Sequence, residues 1–345
     1  MSIYLDNGYV DMGRIMGGHY PFIFCWGGRG TGKTYGALKY CIDNKIKFMY
    51  MRRLQSQCDM INKSTFNPII PVVADMGLKV EVKSIVRGCA GIYLKDGEDD
   101  IDDTKMSGFT AALSTIANLR GFAAVDLVDV IIYDEFIPEP HEKPLKNECE
   151  ALLNCYETVN RNRELSGHEP VKLICLANSN MLTNPIFEGL KLTKRVQLMR
   201  KKHLEVMNDD KRGICLYALD NSPISIRKRD TALYRMIGNS KFSKMALEND
   251  YNSDTGSTIA TQDLKEYKPL LAIGKLCIYA HKKDDKLYCT THISGSPAKY
   301  GDSKIEINRM LQNYDWIWSK NLKNKIIFES ESCENRFTQI FTGCG

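Results

Sequence analysis

The chain lacks the features that would place it in a membrane or outside the cell. No apolar run approaches the roughly 18 to 20 residues that span a bilayer, and the N-terminus, with Asp6, Asp11 and Gly17-Gly18, has no signal-peptide pattern. The twelve cysteines form no C-x-x-C pair and lie mostly in apolar stretches. We therefore expect the reduced core thiols of a cytoplasmic protein, and neither a zinc site nor a disulfide framework.

Length and charge indicate two domains and one basic region. With 345 residues, 43% of them hydrophobic, the chain exceeds one typical domain and can fill real cores. Residues 191–250 hold fourteen Lys or Arg and seven Asp or Glu, whereas the net charge of the whole chain is only +5. This region suits a polyanionic partner, because each neutralised phosphate releases counterions. A solvated Lys-rich surface is the alternative. The basic runs are Lys194-Arg195, Arg200-Lys201-Lys202 and Arg227-Lys228-Arg229.

The most informative motif is a phosphate loop (Walker A). The stretch Gly27-Gly28-Arg29-Gly30-Thr31-Gly32-Lys33-Thr34 satisfies G-x-x-x-x-G-K-[ST] and follows the apolar run 22–26. Glycines allow successive backbone N–H groups to converge on phosphates. Lys33 is predicted to reach the β and γ phosphates, and the Thr34 hydroxyl to ligate Mg²⁺ at a helix N-terminus. The chain is therefore predicted to bind ATP with Mg²⁺.

A second strand is predicted over Lys47 to Arg52, beside the phosphate-loop strand. Because carboxyl ends of strands in an open α/β sheet face the ligand crevice, Arg52 and Arg53 are candidates to contact nucleotide or DNA phosphate. A surface role is equally compatible with the pattern. The acidic run Asp96 to Asp103 is predicted to be a solvated loop and not a metal site.

The third predicted strand ends at two acidic residues. The β-branched run from Val128 ends on Asp134 and Glu135, as in the Walker B strand of phosphate-loop hydrolases. There the first acid supports Mg²⁺ coordination and the adjacent carboxylate deprotonates the attacking water. We therefore assign Asp134 to the metal and Glu135 to the water.

A helix and a further strand carry the remaining candidates. Apolar spacing predicts a helix over Asn147 to Asn160, ending at Arg161 and Arg163. An arginine here can project into the next subunit's nucleotide, or form a salt-bridged helix end. The strand over Lys172–Ala177 ends at Asn178, which can sense the γ-phosphate, although asparagine also commonly starts turns.

These residues, in this order, resemble the DNA encapsidation ATPases of the phi-twenty-nine-like podoviruses, which are related to the ATPase domain of large terminases. The matching pieces span residues 22 to 250, and the block NECEALLNCYETVNRNRE is the most specific. The others are GGRGTGKTYG, FMYMRR, VIIYDEFI, LICLANSN followed by Asn184-Pro185, and YRMIGNSKFSKMALEND.

The resemblance implies the roles of individual residues. Lys33 and Thr34 would hold ATP and Mg²⁺, Asp134 would support the metal, and Glu135 would activate water. Arg161 falls on the family's trans-acting arginine finger. Arg120 lies near a second basic residue that the family uses in trans.

The resemblance also implies an assembly. It is a homomeric ring of five subunits, docked on the portal of an empty capsid and pumping double-stranded DNA inward. The location would be the host cytoplasm and, transiently, the procapsid, but not the mature virion. These residues do not decide whether a structural packaging RNA takes part, and they indicate no membrane partner.

The predicted fold class is α/β. We expect an ASCE-type phosphate-loop ATPase domain with a mainly parallel sheet over residues 1–203, and a basic linker or lid over 204–250. A small α+β domain would cover 251–345, with strands over Leu271–Tyr279 and Lys286–Ile293 and a helix near Ile305–Trp318. By resemblance, this domain is a degenerate ribonuclease-H-like fold. We expect no DNA cleavage, because two-metal nucleases need several converging carboxylates, and the strand ending at His281 carries none.

Two other classes of function fit part of the pattern. Another phosphate-loop translocase, such as a helicase, would share the nucleotide residues. A nucleotide-gated binding module would explain the basic region without rapid turnover. The pair Asp134 and Glu135 favours turnover, since a pure switch does not need the second carboxylate.

Overall fold

The computed structural model describes residues 2–86, 88–95, 106–119, 128–138, 145, 147–178, 184–219, 222–238, 243, 258–323 and 325–341. The chain divides into two compact units, Met1–Asp250 and Tyr251–Gly345, and each is described by itself. Within the described residues, no helix is long and apolar enough to cross a bilayer. The eleven described cysteines are buried and unpaired, as expected of core thiols.

A nine-stranded sheet forms the centre of the first unit. Its strands are β1 (Phe22–Gly27), β2 (Phe48–Arg52), β3 (Lys79–Val86), β4 (Cys89–Lys95), β5 (Gly108–Ala112), β6 (Val130–Asp134), β7 (Lys172–Asn178), β8 (Val206–Asp209) and β9 (Ile214–Leu219). Their order across the sheet is β3-β4-β5-β2-β6-β7-β1-β9-β8. The strands from β5 to β9 in this order pair in parallel, whereas β3, β4 and β8 pair antiparallel at the two edges. The α/β prediction is confirmed, as a mixed sheet with a parallel centre.

The neighbours of β1 differ from the expectation. The strand at Lys47–Arg52 was predicted beside β1, but β6 and β7 lie between β2 and β1. An apolar run reports that a strand is buried and says nothing about which strand pairs with it. As a result, β7 separates the phosphate-loop strand from the acid-bearing strand, and Asn178 pairs in register with Gly27.

Helices cover both faces of this sheet. Residues of α1, α2 and α4 pack in the core on one face, and residues of α5, α6 and α7 pack on the other. On the second face Phe24, Phe136 and Phe187 form a ring cluster with centroids 5.3 to 5.9 Å apart. The helices are α1 (Met12–Met16), α2 (Lys33–Asp43), α3 (Gln55–Ile61), α4 (Ile69–Asp75), α5 (Glu148–Asn160), α6 (Pro185–Gly189), α7 (Thr193–Lys201), α8 (Pro223–Lys228) and α9 (Ala232–Ile237).

The expected boundary at residue 203 does not divide the unit. Strand β9 pairs along its whole length with β1, and Leu216 and Ala218 are buried in the sheet core. The start of the predicted linker is therefore part of the sheet, because burying β9 removes apolar surface from water. Helices α8 and α9 follow it.

The second unit is a six-stranded sheet covered by three helices. Its strands are β10 (Thr258–Ile259), β11 (Tyr267–Ile273), β12 (Leu276–His281), β13 (Leu287–Thr290), β14 (Ala298–Tyr300) and β15 (Ile326–Phe328), in the order β10-β15-β13-β12-β11-β14. The helices are α10 (Lys304–Tyr314), α11 (Trp316–Leu322) and α12 (Glu331–Phe341). They share one core with the sheet, which includes Ile278, Met310, Ile317 and Phe337. The ribonuclease-H-like assignment stays a prediction.

Two predicted elements of this unit are divided in the structure. The single strand expected over Leu271–Tyr279 is the hairpin β11–β12, because Gly274 adopts φ 53° at its turn. Gly274 and Lys275 separate two short apolar runs here, and the prediction of a single strand missed this turn signal. The helix expected near 305–318 is two helices, which meet at Asp315.

Candidate active site

A cleft of about 210 Å³ opens at the carboxyl ends of β1, β6 and β7. Parallel strands bring their carboxyl ends to one edge, where ligands of open α/β sheets bind. The cleft therefore unites five predicted residues that lie far apart in the chain: Lys33, Thr34, Asp134, Glu135 and Asn178. Its other lining residues are Gly30, Thr31, Gly32, Tyr35 and Ala177.

Three glycines of the phosphate loop are needed for its shape. Gly30 and Gly32 have φ values of 65° and 92°, in the region that only glycine enters readily. A Cβ on Gly27 would lie 2.6 Å from Cβ of Leu219, so the neighbouring strand leaves no room for a side chain at this position. The sequence motif thus corresponds to a tightly turned loop that leads into α2.

Lys33 is held inside the loop. It is 7% exposed, and its Nζ donates to the carbonyls of Gly27 and Gly28 at 3.1 and 2.8 Å and to the Thr31 hydroxyl at 3.2 Å. Burial lowers the pKa of Lys33 to about 8 from its ordinary 10.5, although the nearby Asp134 opposes this shift. The ammonium therefore lies desolvated among neutral acceptors, where an anionic ligand would stabilise it strongly.

Thr34 and Asp134 meet across the cleft. Thr34 Oγ1 donates to Asp134 Oδ2 at 3.0 Å, and the Tyr50 hydroxyl donates to the same oxygen at 2.6 Å. Burial, reinforced by Asp134, raises the pKa of Tyr50 well above its ordinary value, so the phenol stays a donor. Strand β2 thus supplies a group that orients the carboxylate of β6.

Glu135 follows β6 with an uncommon backbone and a charged partner. Its φ is 55°, a left-handed conformation that is costly for a residue with a Cβ. Its carboxylate forms an ion pair with Arg52 Nη2, and Arg52 Nη1 lies 3.6 Å from Asp134 Oδ2. The predicted contact of Arg52 with nucleotide or DNA phosphate is therefore replaced here by contacts to both catalytic candidates.

Arg53 does not face a ligand. Its side chain is 0% exposed, and its Nε lies 2.7 Å from Oε1 of Glu148, which is equally buried. A second hydrogen bond joins Nη2 to Oε2 at 3.2 Å, and the Tyr133 hydroxyl donates to Oε1 at 3.0 Å. The expectation that Arg53 contacts DNA is wrong for this conformation, because its guanidinium forms a bidentate ion pair in the core. This pair links the end of β2 to α5, and Tyr133 adds a contact from β6.

The two arginines after α5 differ from each other. Arg163 donates to the Val128 carbonyl and to Asp129, both at 2.7 Å, so it forms a salt-bridged helix end in this structure. Arg161 is exposed and has φ 45° and ψ −128°, a strained conformation. Arg161 is not among the described residues that line the cleft of its own subunit. Arg120 lies outside the described residues, as does the run Asp96–Asp103.

Three groups near the cleft were not singled out from sequence. Tyr50 lies inside an apolar strand run, so only tertiary contact identifies its hydroxyl. Beside the loop, a second cavity of about 720 Å³ is lined by the N-terminal residues Tyr9 and Val10 and by Tyr35 of α2. Lys228, noted only as part of a basic run, donates from Nζ to the Arg29 carbonyl of the phosphate loop. No short-range motif marks these positions.

Acidic residues of the second unit are engaged in ion pairs. Asp285 contacts both Lys320 and Lys325, and their hydrogen bonds lower the pKa of Asp285 to about 2. Among the described residues, no cluster of three His, Cys, Asp or Glu side chains is placed to hold a metal.

Comparisons with known proteins place the chain among phage proteins. A family model described as podovirus DNA encapsidation protein (Gp16) matches residues 6–291. The DNA packaging proteins of Bacillus phages PZA and phi29 are each 29% identical over 237 residues, which are 67% of this chain and 62% of each relative. The match thus covers about three fifths of the length of these relatives. A solved structure of the bacteriophage phi-29 viral genome packaging motor assembly shares the fold, with a TM-score of 0.62 and 21% identity over 100% of both chains.

Proposed function

This chain belongs to the podovirus DNA encapsidation protein family, and on that premise we propose that it is an ATP-driven motor moving double-stranded viral DNA into a preformed capsid. The family resemblance predicted from residues 22–250 is confirmed by the same match. The observation that carries the proposal is the hydrogen bond of Thr34 to Asp134. It unites the phosphate loop with the acid strand in one cleft, as ATP hydrolysis requires.

The residues present suit Mg²⁺ as a cofactor. The metal prefers oxygen ligands and is usually held by one or two protein groups together with substrate phosphates. Thr34 Oγ1 and Asp134 Oδ2 are such oxygens, 3.0 Å apart. These two residues would hold the metal, which when bound neutralises charge on the β and γ phosphates.

Lys33 would bind the triphosphate. Its ammonium now donates to the carbonyls of Gly27 and Gly28, which are neutral acceptors. Phosphate oxygens would replace these neutral acceptors, so that each hydrogen bond joins two ionised groups. The cavity beside Tyr9 and Tyr35 adjoins the loop through Gly30 and Gly32, and we assign it to the base and ribose.

Glu135 would accept the proton of the attacking water. A general base must lie within hydrogen-bond reach of that proton. Because Arg52 pairs with the Glu135 carboxylate, this pair must open or share the carboxylate before the proton is taken. Asn178, in the same cleft, would sense the γ-phosphate.

Arg161 would act on the nucleotide of a neighbouring subunit. Its exposed position outside its own cleft supports this role, and an arginine finger supplied in trans is worth about 10³ to 10⁵ in rate. The proposal therefore includes a homomeric ring, of five subunits by family resemblance, at the capsid portal. A structural packaging RNA is a further candidate partner of this ring.

The DNA cycle follows from these parts. ATP binding would order the subunit interface and tighten the grip on the DNA backbone, and hydrolysis would loosen it. A motor must ignore sequence, so its contacts should be mainly to phosphate and its affinity should fall steeply with salt. The basic region 191–250 is the candidate grip. For the second unit we propose docking or nucleic-acid binding without cleavage.

Nuclease protection of double-stranded DNA tests the proposal. Cognate empty capsids, ATP and the protein are combined, and DNA inside the capsid survives nuclease. We expect protection by the unaltered protein and by Glu150→Gln, which changes an exposed carboxylate of α5, and none by Glu135→Gln. DNA-stimulated hydrolysis without protection would move the assignment to a translocase or helicase acting elsewhere, which a strand-separation assay would identify.

A further inference from the structure

A lysine from the basic region reaches the phosphate loop. Lys228 is the last residue of α8, and its Nζ donates to the carbonyl of Arg29. A Cβ added to Gly30 would lie 2.3 Å from that Nζ. Nζ therefore lies directly against the backbone of the loop at Gly30.

The helix that carries Lys228 is anchored beside the second cavity. The Ser222 hydroxyl donates to the Gly8 carbonyl at 3.2 Å, and Arg227 Nη1 donates to the Asn7 carbonyl at 3.2 Å. Gly8 has φ 89°, and a Cβ there would approach Pro223 to 3.1 Å. Close packing of α8 on the Asn7–Gly8 turn thus directs Lys228 toward the loop.

Among the residues that the structure describes, Lys228 has no partner of opposite charge. Nζ donates to a neutral carbonyl, and across the described ranges no carboxylate pairs with it. The residue is half-buried, and burial lowers the pKa of Lys228 below its ordinary value. Its positive charge also acts on Lys33. Two partly desolvated ammonium groups therefore share one loop, an arrangement that is unfavourable alone and favourable around a polyanion.

We propose that Lys228 is a second phosphate-binding lysine, supplied in cis by α8, that contacts the triphosphate held by the phosphate loop. This inference rests on the proposed ATP-binding function. When the triphosphate is bound, Nζ exchanges the Arg29 carbonyl for a phosphate oxygen. Because Lys228 lies between Arg227 and Arg229, this exchange makes the basic run responsive to the nucleotide. The competing interpretation is a structural clamp that only closes the loop.

Nucleotide affinity of the full chain tests the inference, without DNA and with a non-hydrolysable ATP analogue and AMP as probes. We expect Lys228→Met to lower the affinity for the analogue by roughly 10- to 100-fold, because one hydrogen bond to a charged group is lost. Its affinity for AMP should stay nearly unchanged. Lys228→Arg should retain most of the affinity. Lys79→Met, which removes an exposed cation of β3, should bind like the unaltered protein.

Three outcomes would overturn the inference. An equal loss of affinity in Lys228→Met and Lys79→Met would show that only long-range charge is involved. Equal weakening of the analogue and AMP, with a lower Tm in the absence of nucleotide, would identify a structural clamp. Unchanged affinity would exclude the contact. If the unaltered protein binds neither probe, the proposed function itself fails.

A labelling measurement gives an independent readout. Lys228 should be less reactive toward an amine reagent with the ATP analogue than with AMP, measured by mass spectrometry of its peptide. Equal reactivity would contradict the phosphate contact, even if the variant had lost affinity through misfolding.

Discussion

Arg52 forms an ion pair with Glu135 while its other terminal nitrogen lies 3.6 Å from Asp134 Oδ2. One guanidinium from β2 thus contacts both acidic residues at the end of β6. The Arg52 side chain is only 16% exposed, whereas Glu135 is 45% exposed. Arg52 is therefore the more buried partner of this ion pair, and Glu135 is the more exposed one.

Removing Arg52 should release Glu135. We predict that Arg52→Gln raises ATP hydrolysis in the absence of DNA and capsid by about fivefold, the equivalent of roughly 1 kcal/mol for a partly exposed ion pair. Steady-state phosphate release measures the effect, with Arg195→Gln as the matched control in a surface ion pair with Asp209. A fall to the level of Glu135→Gln would instead make Arg52 necessary for positioning the base.

The trans role of Arg161 can be separated from a cis role by mixing variants. Arg161→Ala should bind ATP normally but lose at least about 10³-fold in hydrolysis after assembly. Lys33→Ala keeps Arg161 but should not hold ATP. Mixed rings of the two variants should recover hydrolysis, because each Arg161 completes a neighbour's site. No recovery in verified mixed rings would place the action of Arg161 within its own subunit.

The buried pair Arg53 and Glu148 should matter for stability and not for DNA affinity. Arg53→Met leaves a carboxylate uncompensated in the core, so we predict a loss of about 3 to 5 kcal/mol in the free energy of unfolding. The double variant Arg53→Met with Glu148→Leu should regain most of it. Urea unfolding measures both, with Arg235→Met as an exposed control. If Arg53→Met were stable but bound DNA more weakly, Arg53 would contact DNA as the sequence predicts.

Lys33 should make stability depend on pH in the alkaline range. The folded protein releases its Lys33 proton near pH 8, whereas the unfolded chain keeps it up to the ordinary pKa of 10.5. Unfolding between these values takes up a proton, so the contribution of Lys33 to stability rises with pH from about 8 to 10.5. Nucleotide-free urea unfolding of the unaltered protein and of Lys33→Met should diverge over this window. If stability changed with pH in the same way for both proteins, the pKa of Lys33 would not be shifted by folding.

Local patterns predicted the elements that carry the site. The glycines and Lys33 of the phosphate loop, the carboxylates ending β6 and the helix before Arg161 are defined by residues close together in the sequence. Such features depend on spacing and conformational preference, which a sequence displays directly. The functional roles of Arg161 and Asn178 stay predictions.

Patterns failed where the outcome depended on distant partners. Arg52 and Arg53 look alike in sequence, yet one meets Glu135 and the other is buried against Glu148. Arg52 ends β2 and Arg53 follows it, so their side chains lie on opposite faces of the sheet. Different elements cover the two faces. The hairpin at Gly274 was a different kind of error, because Gly274 and Lys275 interrupt the apolar pattern locally and signal a turn.

By itself, the sequence determined that this protein carries a phosphate loop, an acid-bearing strand and a basic region, because each is a local arrangement of residue types. Only the tertiary structure decided that β7 separates β1 from β6, that Tyr50 donates to Asp134, and that Lys228 reaches Arg29. Strand order and side-chain partners arise from how separate segments pack to bury apolar surface and satisfy polar groups. That information is distributed over the whole chain and is not contained in any one segment.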